Sequence, residues 1–142
     1  MRTVRQLLGT KTPDLFAVAP DVPVIDAIRL MAEKRIGAVL VMQGEALVGI
    51  LSERDYARKI VLAGRSSKDT PVRAIMTADV VTVTPEDTVP ACMQVVTKHR
   101  IRHLPVVESG QVAGMISIGD LVRVVIEEQD QTIEHLERFI AG

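Results

Sequence analysis

The chain has 142 residues, of which 47% are hydrophobic and 25% charged, enough apolar surface for a buried core and unlike a disordered chain. Lys and Arg number 17 against 18 Asp and Glu, a formal net charge of −1 without the basic excess of a dedicated nucleic-acid binder. The aromatics are Phe16, Tyr56 and Phe139, too few for a single-strand stacking platform. The lone cysteine, Cys92, excludes an internal disulfide and a thiolate-rich zinc site; on an apolar helix face it acts as a small hydrophobe. No leader-like segment opens the sequence, and no apolar run approaches the roughly 20 residues of a membrane helix. A cytoplasmic protein with neither nucleic-acid nor membrane partners is therefore expected.

In chain order, an extended stretch over Phe16–Ala19 ends at Pro20, which biases the residue before it towards β. A helix follows, opened by Asp21 with Pro23 in its first turn and carrying Val24, Ala27, Ile28 and Met31 on one face. Ala38–Met42 and Ala46–Leu51, separated by Gln43-Gly44-Glu45, read as a β-hairpin. A helix then runs from Glu53 to about Ala63, with Gly64 as its stop. After the polar stretch Arg65–Pro71 the order recurs. An extended Val80–Thr84 precedes a helix with Val89, Cys92, Met93 and Val96. A hairpin over His103–Val107 and Val112–Ser117 comes next, then a helix from Ile118. The six methionines, Met42, Met76 and Met115 among them, read as core gap-fillers.

The recurrence is a true internal repeat. Val18–Val61 lies over Val83–Ile126 without a gap, and ten of the 44 aligned positions are identical, among them Arg35/Arg100, Gly49/Gly114, Ser52/Ser117 and Asp55/Asp120. Upstream, Val4-Arg5-Gln6-Leu7-Leu8 resembles Val72-Arg73-Ala74-Ile75-Met76, with three extra residues in the first copy. Neither unit is large enough to bury a sheet face alone, so the pair is the stable object. The divisions expected are residues 1–64, a linker at 65–71, residues 72–128 and a C-terminal helical extension at 129–142.

Both copies place the same punctuation where the hairpin turns into the last helix: Gly49-Ile50-Leu51-Ser52-Glu53-Arg54-Asp55 and Gly114-Met115-Ile116-Ser117-Ile118-Gly119-Asp120. Ser followed three residues later by an acid is a capping box, which explains both residues structurally. A helix start facing a crevice also offers free N–H groups, a Ser hydroxyl within reach of a sugar or phosphate, and a carboxylate suited to the two hydroxyls of a ribose. The two readings are compatible.

These segments, with His99-Arg100-Ile101-Arg102-His103-Leu104-Pro105-Val106-Val107, resemble the CBS domain, and the resemblance covers residue 4 to about 126. It implies an α/β (α+β) fold of two β-α-β-β-α repeats related by a pseudo-twofold axis and packed sheet to sheet, with adenosine-type ligands: AMP, ADP, ATP, sometimes S-adenosylmethionine or NAD. It also implies a ribose-reading role for Asp55 and Asp120, with Ser52 and Ser117 beside the ribose or phosphate. Thr82, Thr84 and the Val81/Val83 aliphatics belong to the strand that reads the adenine, and Pro105 lies on the adjoining strand. The copies differ. Arg102 and His103 stand where the first copy has Gly37 and Ala38, so the second copy has the donors for a phosphate, and Arg54 compensates in part in the first. His99 and His103 diverge from helix to strand and make no metal pair.

The C-terminal stretch keeps Ile133, Leu136 and Ile140 on one face, an apolar stripe pointing to a partner surface, and the family resemblance implies a C2 homodimer formed through such helices. The expectation is a regulatory, non-catalytic nucleotide sensor that signals to another protein. An enzyme lacks a visible nucleophile–base pair, phosphate loop or metal cluster, and a purely structural dimer with empty clefts would not need Arg102 beside two Ser-x-x-Asp segments.

Overall fold

The computed structural model describes residues 1–11 and 15–141. Residues 12–14, in the region where the first repeat is longer, and residue 142, the last of the expected extension, lie outside the described residues. In chain order the elements are α1 (Val4–Leu8), β1 (Ala17–Val18), α2 (Val24–Lys34), β2 (Ala38–Gln43), β3 (Ala46–Ser52), α3 (Glu53–Tyr56), α4 (Val89–His99), β4 (His103–Glu108), β5 (Gln111–Ser117) and α5 (Ile118–Ala141). The fold is mixed α/β, as the repeat predicts.

The compact units do not share the boundaries of the repeats. One unit is residues 15–81 with 109–112, and the other is 1–11, 82–108 and 113–141. The segment that leads each repeat in sequence is thus held by the other repeat. The expected linker at 65–71 is part of the first unit rather than a tether between two.

In the unit of the first repeat, β1 pairs parallel with β2, and β2 pairs antiparallel with β3. Gly44, at φ 61, takes the left-handed turn that the short hairpin needs. The parallel pair requires a crossover, which α2 supplies. Asp21 does not cap α2: Pro23 is the N-cap, with no side-chain bond, and Asp21 pairs with Arg73. The free N–H groups of Val24 and Ile25 go instead to the carbonyls of Thr70 and Ser67 at 2.9 and 3.0 Å. The polar stretch therefore does the capping. Arg35 ends the helix at φ 55, as Arg100 ends α4 at φ 54, the same residue in the same left-handed pose in both repeats. Val24, Ala27 and Met31 of α2 pack with Val39, Val41 and Leu51 of the sheet and with Ile60, Val72 and Ile75.

The helix expected from Glu53 to Ala63 is an α-turn over Glu53–Tyr56 that widens into a π-helical turn at Ala57–Val61, and Gly64 follows at φ 66. The widened turn still buries Ile60.

In the other unit, α4 precedes the β4–β5 hairpin, and α5 runs on from it. Its buried residues stand at the same repeat positions: Val89, Cys92 and Val96 on α4, with Leu104, Val106 and Ile116 on the strands. The strand expected at Val80–Thr84 is reduced to a single parallel bridge, Val83 to Val106. Thr84 turns away because its N–H binds the Asp87 carboxylate at 2.7 Å, and the Val80 N–H turns back to the Ala78 carbonyl.

The motif glycines mark where the exchanged segments press in. A Cβ on Gly49 would lie 2.5 Å from the sulfur of Met76 and 3.2 Å from the Thr77 carbonyl oxygen. On Gly114 it would meet a terminal methyl of Leu8 at 2.7 Å. Leu8 and Met76 are equivalent residues of the two leading segments. We expect Gly49→Ala to cost about 1–3 kcal/mol in urea unfolding, since backbone as well as side chain must yield. Gly114→Ala should cost less, because a Leu methyl swings aside; equal losses would contradict the packing described.

Candidate functional site

Each repeat runs a strand straight into a helix at its Ser-x-x-Asp segment, and both segments form the capping box. In the second repeat the Asp120 N–H donates to Ser117 Oγ at 3.2 Å and the Ser117 N–H donates to Asp120 Oδ2 at 2.8 Å. In the first, the Asp55 N–H donates to Ser52 Oγ at 3.2 Å, while Asp55 Oδ2 accepts from the Ser52 N–H at 3.0 Å and its hydroxyl at 3.1 Å. The cap satisfies the N–H groups that open the helix and fixes each carboxylate in one pose.

The other expected residues gather at these junctions. The Ile118 N–H donates to the Arg102 carbonyl at 2.8 Å, so Arg102 and the first residue of β4, His103, stand beside the start of α5. The Val83 N–H donates to the Pro105 carbonyl at 3.1 Å, and the Val107 N–H to the Val83 carbonyl at 2.9 Å. This clamp sets Thr82 and Val83 along the same strand two residues further on. Thr82 and Arg102 are exposed, His103 half-buried, Val83 and Pro105 buried. In the first repeat the Glu53 N–H donates to the Gly37 carbonyl at 3.0 Å, and Ala38 is the register partner of Ser52. Arg54 is exposed in the first turn of α3. The twelve expected residues thus form two clusters, Thr82, Val83, Arg102, His103, Pro105, Ser117 and Asp120 in one unit, and Gly37, Ala38, Ser52, Arg54 and Asp55 in the other.

Three polar partners were not visible in the motif. Lys11 Nζ lies 2.6 Å from Asp120 Oδ2 and donates to the Met115 carbonyl at 2.8 Å. Lys59 Nζ lies 3.1 Å from Asp55 Oδ1, and the Thr77 hydroxyl donates to the same oxygen at 3.3 Å. Lys59 was discoverable, since it is four residues after Asp55 on one helical face. Lys11 and Thr77 come from the exchanged leading segments, far from the motif in sequence.

The two carboxylates are differently engaged. Asp55 is 8% exposed, with both oxygens in close bonds. Asp120 directs Oδ2 to Ser117 and Lys11, and among the described residues its Oδ1 has the Arg123 guanidinium at 3.7 Å. Burial pushes the Asp120 carboxyl upward, but the hydrogen bonds from Lys11 and from the Ser117 backbone outweigh it and hold the group below its ordinary range. Asp120 is therefore a carboxylate at neutral pH whose Oδ1, among the described residues, has only the longer Arg123 ion pair and no hydrogen bond, which leaves it able to accept from a donor. That is the acceptor a ribose hydroxyl requires.

The first unit also has a cavity of about 500 Å³, lined by Ile28, Met31, Ala32, Ile36 and Tyr56 with Arg35, Gly37 and Glu53 at its polar side. It shares Gly37 with the expected residues but neither Ser52 nor Asp55.

The CBS domain family model matches residues 4–62 and 72–127. The CBS domain-containing protein CBSX3, mitochondrial, of Arabidopsis thaliana is 45% identical over 127 residues, 86% of this chain and 62% of that protein, so the chain spans under two thirds of its length. The structure of a putative signal-transduction protein with CBS domains from Burkholderia ambifaria MC40-6 superposes with a TM-score of 0.87 at 51% identity, covering 90% of this chain and 96% of that one. At the level of fold alone, CBSX2 in complex with AMP matches with a TM-score of 0.75 at 23% identity, covering 89% of this chain and 98% of that one. The CBS domain pair of protein MJ0100, in complex with 5′-methylthioadenosine and S-adenosyl-L-methionine, matches with 0.77 at 19%, covering 90% and 98%.

The Lys11–Asp120 pair has a testable sign. A carboxyl depressed by folding adds stability above its ordinary pKa of about 3.9, and that stability is lost as the pH falls through the lowered folded value. Lys11→Met should therefore destabilise by about 1–3 kcal/mol at pH 7. The deficit should shrink towards zero as urea unfolding is repeated at successively lower pH. A deficit unchanged in acid would mean that Lys11 acts through packing alone.

Proposed function

The chain belongs to the CBS domain family, and on that premise we propose that it is a regulatory module binding an adenine nucleotide and passing its occupancy to a partner protein. The observation that carries this reading is Asp120, an ionised acceptor with one carboxylate oxygen open, next to Arg102 and His103 on one side and the Thr82–Val83 segment on the other. A ribose would take the carboxylate and Ser117. A phosphate would take the guanidinium of Arg102 with His103, and an adenine would lie against Val83 and Pro105. The ligand class is AMP, ADP or ATP, with NAD as a larger variant. That other CBS pairs are described in complex with AMP, and with methylthioadenosine and S-adenosylmethionine, supports an adenosine-type ligand. The module acts as a homodimer and is regulatory rather than catalytic.

The second repeat is the primary site. Asp55 is closed off by Lys59 and Thr77, and Gly37 and Ala38 bring no charge where Arg102 and His103 do. Occupancy shifts the conformation of the module by no more than the ligand's differential affinity for its states.

Titration with AMP, ATP and NAD during thermal melting is the direct test, because a ligand that binds the folded state raises the midpoint by mass action. We expect at least one of the three to raise it in the micromolar to millimolar range. Asp120→Asn should weaken that binding at least tenfold and Asp55→Asn much less. If none of the three nucleotides shifts the midpoint at millimolar concentration the sensor reading fails, and equal losses in the two variants would remove the assignment of the primary site.

A further inference from the structure

The carboxylate of the second motif has a partner from outside the motif, and that partner decides how much of a sugar it can read. Lys11 reaches Asp120 from the leading segment, with Nζ 2.6 Å from Oδ2 and 2.8 Å from the Met115 carbonyl oxygen, to which it also donates. The Ser117 N–H donates to the same Oδ2 at 2.8 Å. A carboxylate oxygen has about two lone-pair sites, so Ser117 and Lys11 together fill Oδ2. Oδ1 faces the Arg123 guanidinium at 3.7 Å, beyond hydrogen-bond distance.

Lys11 is not a side chain that a ligand easily sweeps aside. Its ammonium has two acceptors, and its side chain is 27% exposed. The backbone beneath it is held as well: the Lys11 N–H donates to the Leu8 carbonyl at 3.2 Å, and the Thr10 hydroxyl to the Leu7 carbonyl at 2.7 Å. Leu7 is buried, and Leu8 presses on Gly114. Displacing the ammonium would strip a donor from both Asp120 and the Met115 carbonyl, a cost charged against any ligand that did so. The arrangement is particular to this repeat. Counted from the matched Val4 and Val72, the counterpart of Lys11 is Asp79, whose charge is the wrong sign to pair with Asp55.

We propose that Lys11 is a specificity-determining residue that makes the second-repeat site a reader of one ribose hydroxyl rather than two. A carboxylate with both oxygens free accepts the two hydroxyls of a ribose one on each oxygen. With Oδ2 filled, one hydroxyl takes Oδ1, and the other is left the neutral Ser117 hydroxyl, a weaker partner than a charged oxygen. The ligand class that follows is an adenine nucleotide whose second ribose hydroxyl can be absent or substituted at little cost. This rests on the adenine-nucleotide reading of the site given above. Lys11 acts through Asp120, so its signature is a change in selectivity between sugars rather than a general loss of binding.

Calorimetric dissociation constants for AMP and ATP, each with its 2′-deoxy and 3′-deoxy forms, test the assignment on the full chain. In the wild type we expect the two deoxy forms to differ by about tenfold or more, because one loses a bond to a charged oxygen and the other a bond to a neutral one. In Lys11→Met, Oδ2 regains a lone-pair site and both hydroxyls meet the carboxylate, so the gap should close to about threefold or less. A lysine with a purely structural role would weaken all forms alike and leave the gap unchanged. Deoxy forms of equal affinity in the wild type, whether both weakened or both unaffected, would overturn the inference while the sensor reading stands. This wild-type comparison decides the matter even where Lys11→Met fails to fold. A gap that persists in a folded Lys11→Met would remove Lys11 as its cause. Failure of both AMP and ATP to bind would overturn the inference whatever NAD does, whereas the sensor reading falls only if NAD fails too.

Discussion

The close approach of each leading segment to the other repeat's hairpin is the constraint from which the remaining features follow. Leu8 sits where a side chain on Gly114 would be, and Met76 sits where one on Gly49 would be. Those contacts fix the segments that bring Lys11 to Asp120 and Thr77 to Asp55. The same segments bury Val4 and Leu7 in one unit and Val72 and Ile75 in the other. A glycine that looks like part of a ligand motif is thus first a packing requirement. The geometry of the candidate site is a consequence of it.

The exchange also explains why the repeat is a poor guide to the folding unit. Cutting the chain after the first copy would leave its core without Val72 and Ile75, two of its nine buried members. Small repeats have little apolar area to spare, so stability is shared by threading rather than duplicated. The backbone groups at 65–71 serve the same economy, since Ser67 and Thr70 satisfy the opening N–H groups of α2.

Most of the fold was legible because its signals are local. The two hairpins were readable from paired short apolar runs, 38–42 with 46–51 and 103–107 with 112–117, and the capping boxes from a Ser and an Asp three apart. What failed depended on competing partners for backbone N–H groups, some of them distant in sequence. Asp21 has the right chemistry to cap α2, but the carbonyls of the polar stretch reach those N–H groups first. Val80–Thr84 has strand composition, yet a carboxylate from Asp87 captures the Thr84 N–H and curtails the ladder to one bridge. The widening of the helix after Tyr56 left no mark in the pattern, because Ile60 is buried in either geometry.

The same distinction holds at the candidate site. The difference between the copies was visible in sequence as Arg102 and His103 against Gly37 and Ala38. The structure adds a second difference that no spacing rule supplies. In the first repeat a lysine one helical turn on and a threonine from the exchanged segment both engage Asp55 Oδ1. In the second, the lysine arrives from residue 11 and takes Oδ2, which the Ser117 N–H already shares. The direction from which the cation arrives thus decides which oxygen stays open. Two identical Ser-x-x-Asp segments therefore differ in their capacity to accept a sugar hydroxyl, and the cause lies in the threading of the chain rather than in the motif.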